Sequence, residues 1–412
     1  MKRIISLGLC LLCLAALVAC GQAAAPAETT PQPTINLPNI ADPLTWEQIK
    51  AIPVASDDMT EEQLRQICLD ALRLQLTFGW TPSTQTLYHN SIQEKNFLEG
   101  QVYGGIPYNS KCFGNIYKWM YYYNEETGVL DLSGGVDTLT KVCNQCTGGT
   151  LTGWSRVVNT ANYYGTNEMT HNNGCLRVGP YTYADTIMGF GQRDTYTICS
   201  DNGASTMWKS YAELKPADGI VMYSNYEQNG HVCMVVSVDV VYFENGDIDG
   251  QKSSVTYMDQ WAVYSNATQS NGEPYEMQGR VDYTKSFQQV YDDGYLPFTF
   301  AELIKQNPVE KAEVHLSIAG DTVKLSELSR GQINCNYIMS DITVSVTDQE
   351  GKEVYHKDTI ISHMLMPFTT PLQTAVSQKD LTAYADGNHT ITISTWVNTG
   401  EKLVAYQGVL ID

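Results

Sequence analysis

Hydrophobic spacing and capping signals predict two helices, one beginning near residue 45 and the other near residue 60. The segments Thr45-Trp-Glu-Gln48 and Thr60-Glu-Glu-Gln63 both have the pattern of a capping box, in which a threonine precedes a helix and a glutamine follows three residues later. After the second box, apolar residues recur at helical spacing from Leu64 to Phe78. Since other leucines fill the opposite face, we expect this second helix to be buried.

An alternating pattern predicts a β-hairpin between residues 230 and 261. Valine or methionine occupies every second position from Val232 to Val240, and Asn245-Gly246 is a turn signal before a returning strand at 255–261. His231 begins the first strand in the other, more exposed phase. Positions 231 and 259 are equidistant from residue 245, so we expect Asp259 opposite His231, provided that a bulge or a three-residue loop corrects the register.

The pattern changes after Pro297. A short helix is expected at about 300–306, and short strands with turns between them follow from about residue 313 to the end. Such strands in about 100 residues are typical of an immunoglobulin-like β-sandwich. We therefore expect a first folded domain over 44–307, with a long insertion at about 124–205, and a β-sandwich over 308–412.

The N-terminus has the pattern of a secretory signal. Lys2 and Arg3 precede an apolar run that ends in Leu17-Val-Ala-Cys20. The small residue before Cys20 resembles the lipobox of bacterial lipoproteins, which implies a signal peptide over 1–20, lipidation of Cys20 and an extracytoplasmic, membrane-anchored protein. Residues 21–43 are rich in Ala, Pro and Thr, which predicts an extended tether.

Composition limits the classes of partner. The chain has 412 residues and a formal net charge of −20, from 25 basic and 45 acidic side chains. This balance argues against a nucleic-acid partner, because phosphates require clustered lysines and arginines.

Cys112 is a candidate nucleophile. It follows a Gly- and Pro-rich segment that begins at Gln101, and the apolar residues after it have helical spacing, so we expect Cys112 in the first turn of a helix. Backbone N–H groups and the helix dipole favour a thiolate there. His231 would be its base, and Asp259 would orient that histidine.

These segments resemble the NlpC-type and CHAP-type cell-wall hydrolases. The resemblance rests on Tyr103-Gly-Gly105, Pro107, Cys112-x-Gly114, Lys215-Pro-Ala-Asp-Gly219 and Gly230-His-Val232. It implies an α+β, papain-like fold in which a helix-start cysteine packs on an antiparallel sheet. It also implies cysteine-dependent hydrolysis of amide bonds in peptidoglycan peptides, by a monomer without a cofactor, with Tyr103 and Tyr108 near the substrate. Two neighbours depart from the NlpC pattern, which has Asp before the nucleophile and Ser after it: here they are Lys111 and Phe113.

The expected insertion contains a possible set of zinc ligands. Cys143, Cys146, His171 and Cys175 have the residue types and paired spacing of a tetrahedral site. Disulfides or free buried thiols are the favoured alternatives, because the 24-residue gap between the two pairs carries no information about a metal site.

Two other functions fit the same residues. A catalytically inactive papain-fold lipoprotein would bind wall material through the same surfaces, and the residues Lys111 and Phe113 keep that alternative open. A transglutaminase-like acyl transferase would use the same three residue types.

Overall fold

The computed structural model describes residues 41–90, 92–159, 175–183, 194–224, 229–268, 274–361 and 368–412. These residues belong to one compact unit of mixed α+β structure, with about 25% helix and 38% strand. The predicted signal peptide, Cys20 and most of the predicted tether lie outside the described residues. In the part of the chain that the structure describes, no helix has both the length and the hydrophobicity needed to cross a membrane.

Both predicted N-terminal helices are confirmed. Helix α1 (Trp46–Ala51) and helix α2 (Glu61–Thr77) each begin with a complete capping box, at Thr45 and Thr60. Helix α2 buries both of its sides. The first domain was expected to begin at residue 44, but Ala41–Pro43, assigned to the tether from sequence, form a strand that pairs with Phe78–Pro82.

An eleven-stranded sheet is the centre of the first domain. The strands up to residue 300 are β1 (Ala41–Pro43), β2 (Phe78–Pro82), β3 (Thr86–His89), β4 (Glu94–Phe97), β5 (Tyr103–Gly104), β6 (Tyr123–Asn124), β7 (Val129–Leu130), β8 (Cys175–Arg177), β9 (Gly219–Ser224), β10 (Asn229–Asp239), β11 (Ser254–Thr268), β12 (Pro274–Ser286) and β13 (Leu296–Phe300). The sheet has the order β6-β7-β2-β5-β12-β11-β10-β9-β13-β8, with β1 beside β2, while β3 and β4 form a separate hairpin.

The described part of this domain contains six further helices. They are α3 (Ile116–Met120), α4 (Val136–Val142), α5 (Cys146–Trp154), α6 (Thr195–Asn202), α7 (Ala204–Ala212) and α8 (Phe287–Asp292). Helix α5 is almost completely buried and packs against α2, β10 and β11. The segment 124–205, expected to be an insertion, therefore contains a helix of the domain's own core.

The predicted hairpin is present with a different register. Strand β10 pairs with β11 through Met234 and Met258, and the register shifts by one residue between Val235 and Ser237. The expected bulge is found, but the pairing places Asp259 beside Cys233 rather than directly opposite His231. His231 reaches Asp259 as a diagonal neighbour, a distance that long side chains can bridge.

The C-terminal residues form a second module with its own hydrophobic core. A three-stranded and a five-stranded sheet surround this core, in the orders β14-β16-β19 and β15-β21-β20-β17-β18. The strands are β14 (Val314–Leu316), β15 (Thr322–Lys324), β16 (Gln332–Cys335), β17 (Asp341–Thr347), β18 (Glu353–Ile360), β19 (Thr369–Pro371), β20 (Asp386–Trp396) and β21 (Lys402–Ile411), with short helices α9 (Leu325–Leu328) and α10 (Gln378–Leu381). The prediction of a helix at about 300–306 is wrong, because strand β13 ends at Phe300 and turns follow it.

Aromatic stacking joins the two modules. Trp396, at the end of β20, stacks on Trp46 and on Tyr117, with ring centroids 4.9 and 5.4 Å apart. Beside it, the buried amide of Asn115 donates to Ser340 Oγ and to Asn398 Oδ1, both at 2.8 Å.

Candidate active site

His231 and Asp259 form a buried pair on adjacent strands. His231 lies near the start of β10, and its Nε2 atom contacts Asp259 Oδ2 on β11. The contact expected from the sequence is therefore present. The exposed setting expected for His231 is wrong, because its side chain is buried, as is that of Asp259.

Arg280 holds the other side of Asp259. It lies on β12, directly across from Asp259 in the strand pairing. Its Nε atom donates to Asp259 Oδ1 at 2.9 Å, and a terminal nitrogen contacts Asp259 Oδ2. The guanidinium lies 3.9 Å from the ring centroid of Trp261, an arrangement that favours a cation over an aromatic face.

These contacts set the charges of the pair. Burial alone would raise the pKa of Asp259, but Arg280 and His231 outweigh it and hold that pKa below its usual range. Burial alone would lower the pKa of His231, but three neighbouring groups raise it well above its ordinary value; they are Cys233, Asp259 and Cys146. Burial also raises the pKa of the Cys233 thiol, which favours its uncharged form. Asp259 is therefore the negatively charged neighbour that raises the pKa of His231.

Cys146 is the thiol that faces this pair. It is the first residue of α5, it is half-buried, and its thiol lies close enough to the His231 ring for the two groups to shift each other's pKa. Its Sγ atom also lies 3.8 Å from the carbonyl oxygen of Gly230. Burial alone would raise the pKa of Cys146, but the hydrogen bond and charge of His231 lower it below its ordinary value. A lowered pKa increases the thiolate fraction, which is the nucleophilic form.

Cys146 and His231 open into one cavity of about 490 Å³. Trp261 packs edge-on against the His231 ring, with centroids 5.0 Å apart. Most of the remaining wall is aromatic or apolar, and Lys285 and Asp293 add an ion pair. A largely apolar cavity with a few converging polar groups is typical of a small-molecule or peptide site.

The prediction that Cys112 lies in the first turn of a helix is wrong. Cys112 lies in a turn, and helix α3 begins four residues later, at Ile116, with Asn115 as its N-cap. The thiol of Cys112 interacts with Cys143 and Lys118, and it opens onto a second cavity of about 520 Å³ that His89 also lines. The cysteine in contact with His231 is Cys146, not Cys112.

The two expected substrate contacts have different outcomes. Tyr108 lines the cavity of Cys146 and His231, and burial together with Cys146 raises its pKa. Tyr103 is 1% exposed and packs among Trp80 and Phe97 instead. Its hydroxyl accepts a hydrogen bond from the backbone of Leu98, so its observed contacts are structural.

The expected zinc ligands have separate partners. Cys143 contacts Cys112, Cys146 contacts His231, and Cys175 lies on the edge strand β8. His171 lies outside the described residues. Within the described ranges, one other group has metal-ligand geometry: single ligand atoms of His231, Cys233 and Asp259 lie within 4.8 Å of one another. Since Arg280 and His231 occupy both Asp259 oxygens, this group fits a hydrogen-bonded network better than a cation.

A sequence signal for Cys146 was available. The NlpC pattern has Asp before the nucleophile and Ser after it, and Cys112 matches neither position. Around Cys146 the neighbours are Gln145 and Thr147, a hydroxyl-bearing residue in the place of Ser, and Gly148 completes the Cys-x-Gly spacing. Arg280 has no comparable signal, because it is a single basic residue in an ordinary strand.

Comparison with protein-family models, curated proteins and solved structures finds no match to this chain.

Proposed function

We propose that the protein is a cysteine amidohydrolase with a papain-like arrangement, in which Cys146 is the nucleophile. The observation that carries the proposal is that Cys146 and His231 line one cavity and shift each other's pKa, while His231 contacts Asp259 on the adjacent strand. A nucleophile, a base and a group that orients the base are the parts that covalent amide hydrolysis requires. Helix α5 presents Cys146, and strands β10 and β11 present the other two residues.

The arrangement supports a two-step reaction. The Cys146 thiolate attacks the amide carbonyl carbon, and protonated His231 gives its proton to the leaving amine. A water molecule, deprotonated by His231, then attacks the thioester and releases the acid and the Cys146 thiolate, which restores the starting pair of thiolate and protonated His231. The backbone N–H of Cys146 is at the first position of α5, where N–H groups have no acceptor within the helix, so it is suited to stabilise the oxyanion.

The proposed substrate is a peptidoglycan peptide at the outer face of a bacterial membrane. The lipobox-like Cys20 and the resemblance of Gly230-His-Val232 to wall hydrolases support this assignment. The cavity agrees with a peptide ligand, because it combines aromatic walls with the ion pair of Lys285 and Asp293. In the same proposal, the C-terminal module is an immunoglobulin-like spacer or binding module.

The test compares two cysteine variants of the chain from residue 21 onward. Cys146→Ser should lower the cleavage rate of muropeptides by about 10³-fold or more, because a serine hydroxyl is a weak nucleophile beside this base. Cys112→Ser is the matched control, since that thiol also has a lowered pKa but interacts with Cys143 instead of His231. Assayed with a reductant present, which keeps Cys143 and Cys146 as free thiols, it should keep most of the activity.

Two outcomes would contradict the proposal. Loss of activity in Cys112→Ser with full activity in Cys146→Ser would move the nucleophile to Cys112. No cleavage by the unmodified chain across several wall types, together with wall binding that survives Cys146→Ser, would favour the inactive binding protein.

A further inference from the structure

Two cysteines outside the proposed catalytic series lie in the aromatic cluster formed by the N-terminal part of the domain. They are Cys112 and Cys143, whose thiols are close enough to shift each other's pKa. Cys143 is fully buried and Cys112 is 6% exposed at the floor of the second cavity. Neither thiol has a part in the proposed reaction.

The backbone around this pair is closely connected. The loop from Pro107 to Gly114 wraps around Asn144. The backbone N–H of Asn144 donates to the Pro107 carbonyl, and the Asn144 carbonyl accepts from the backbone N–H of Asn109. The side-chain amide of Asn144 donates to the Gly114 carbonyl. Gly114 N–H also donates to the Cys143 carbonyl at 2.7 Å. A side chain at Gly114 would meet the Val142 carbonyl at 1.9 Å, so the two segments approach as closely as glycine allows.

The two thiols are matched for exchange chemistry. The hydrogen bond from Cys143 lowers the pKa of Cys112 and, with the positive charge of Lys118, outweighs the effect of burial. Burial raises the pKa of Cys143 well above its ordinary value. One attacking thiolate beside one protonated partner is the arrangement that closes a disulfide in two steps.

We propose that Cys112 and Cys143 form a disulfide bond in the exported protein. The Cys112 thiolate attacks one sulfur of a disulfide-type oxidant and releases one thiolate. Cys143, losing its proton, then attacks the Cys112 sulfur and releases the second. Two protein thiols lose two electrons and two protons, and the oxidant becomes two thiols.

This bond would have a consequence for the active site, and that part rests on the proposed function. Cys143 and Cys146 are separated by two residues, a spacing at which oxidation can join them and inactivate the nucleophile. With Cys112 as its partner, Cys143 is not available to Cys146. The bond would also fix the loop that supports the start of α5.

Disulfide mapping tests the bond without any measurement of activity. The full chain is equilibrated with glutathione disulfide, the remaining thiols are blocked with iodoacetamide, and the protein is digested with trypsin under non-reducing conditions. We expect peptide 112–118 linked to peptide 142–156, with fragment ions that place the bond on Cys143. Linkage of Cys143 to Cys146, or two unlinked peptides, would overturn the proposal.

Variants test the protective role. Cys112→Ser, treated in the same way, should form the Cys143–Cys146 bond and lose most alkylation of Cys146, and a reductant should restore it. Cys335→Ser, which removes a buried thiol of the C-terminal module, should leave the linkage unchanged. If Cys146 stays fully reactive in oxidised Cys112→Ser, the protective role is wrong. Inactive enzyme with a mapped Cys112–Cys143 bond would instead count against the proposed function alone.

Discussion

Arg280 distinguishes this site from a simple series of three residues. Its side chain is 9% exposed, it holds both oxygens of Asp259, and a terminal nitrogen lies 3.4 Å from His231 Nε2. A buried carboxylate without such a partner would be protonated or would destabilise the fold. Arg280 therefore positions Asp259 and keeps it charged, and Asp259 in turn supports the charged form of His231.

The conservative change Arg280→Lys should alter the pH profile of Cys146. Lysine keeps the charge but cannot make the paired contacts of the guanidinium. With Asp259 held less well, the pKa of His231 should fall and that of Cys146 should rise toward the ordinary thiol value. The rate at which iodoacetamide alkylates Cys146 should be measured from pH 5 to 9. As the pH is lowered, this rate should begin to fall at a higher pH in the variant than in the unmodified protein. A Cys146 pKa higher by one lowers the thiolate concentration at acidic pH about tenfold.

Arg73→Lys is the matched control for this change. Arg73 also makes two hydrogen bonds to one carboxylate, that of Asp282, but both side chains are about one third exposed. Exposed pairs contribute little, so the pH profile should stay the same. An unchanged profile in a folded Arg280→Lys protein would show that Arg280 has only a structural role.

At the level of elements, the hairpin of β10 and β11 shows what the sequence could predict. The alternating pattern predicted both strands. The equal sequence distance of His231 and Asp259 from residue 245, in the turn, predicted that the two side chains are neighbours. The position of the bulge and the diagonal contact could not be derived, because a period of two is unchanged by a shift of two residues. The pairing of Met234 with Met258 fixes the register.

Helix α5 shows why the sequence did not predict the position of Cys146. Its sequence, Cys-Thr-Gly-Gly-Thr-Leu-Thr-Gly-Trp, is rich in residues with low helix propensity and has no clear amphipathic spacing. The residues after Cys112 do have helical spacing, but the helix begins only at Ile116, where Asn115 caps it. Packing against the sheet, which local sequence does not encode, decides that α5 is a helix.

Gly153→Ala should therefore destabilise the protein although alanine favours helices. A Cβ atom at Gly153 would lie 2.8 Å from the Met234 side chain and 2.9 Å from the Cys68 backbone oxygen. Overpacking of this kind costs about 1–3 kcal/mol, which exceeds the gain of about 1 kcal/mol from helix propensity. Urea denaturation should show a lower free energy of unfolding.

Ser205→Ala is the control on an exposed helical position of α7. It should change the free energy of unfolding by no more than about 0.5 kcal/mol. If Gly153→Ala were as stable as the unmodified protein, the close packing of α5 on β10 would be wrong.

At the level of the whole molecule, the two modules are joined by contacts that the sequence did not predict. The sequence predicted a boundary near residue 308 but no contact across it. The structure places Trp396 against both Trp46 and Tyr117, and the backbone carbonyl of Thr399 accepts from the buried Arg156 at 3.1 Å. Helices α1 and α3 supply the first-domain side of the aromatic contact, so the C-terminal module supports the domain that holds the candidate active site.

Trp396→Ala should uncouple the unfolding of the two modules. It removes two stacked aromatic pairs, which contribute about 1–3 kcal/mol together beyond the buried area, while both hydrophobic cores remain intact. Differential scanning calorimetry should show one transition for the unmodified protein and two for the variant, with the C-terminal transition retained. Phe243→Ala, at an aromatic residue that is 50% exposed in the β10–β11 connection, should keep the single transition. A single, unshifted transition in Trp396→Ala would mean that the modules are coupled through other contacts.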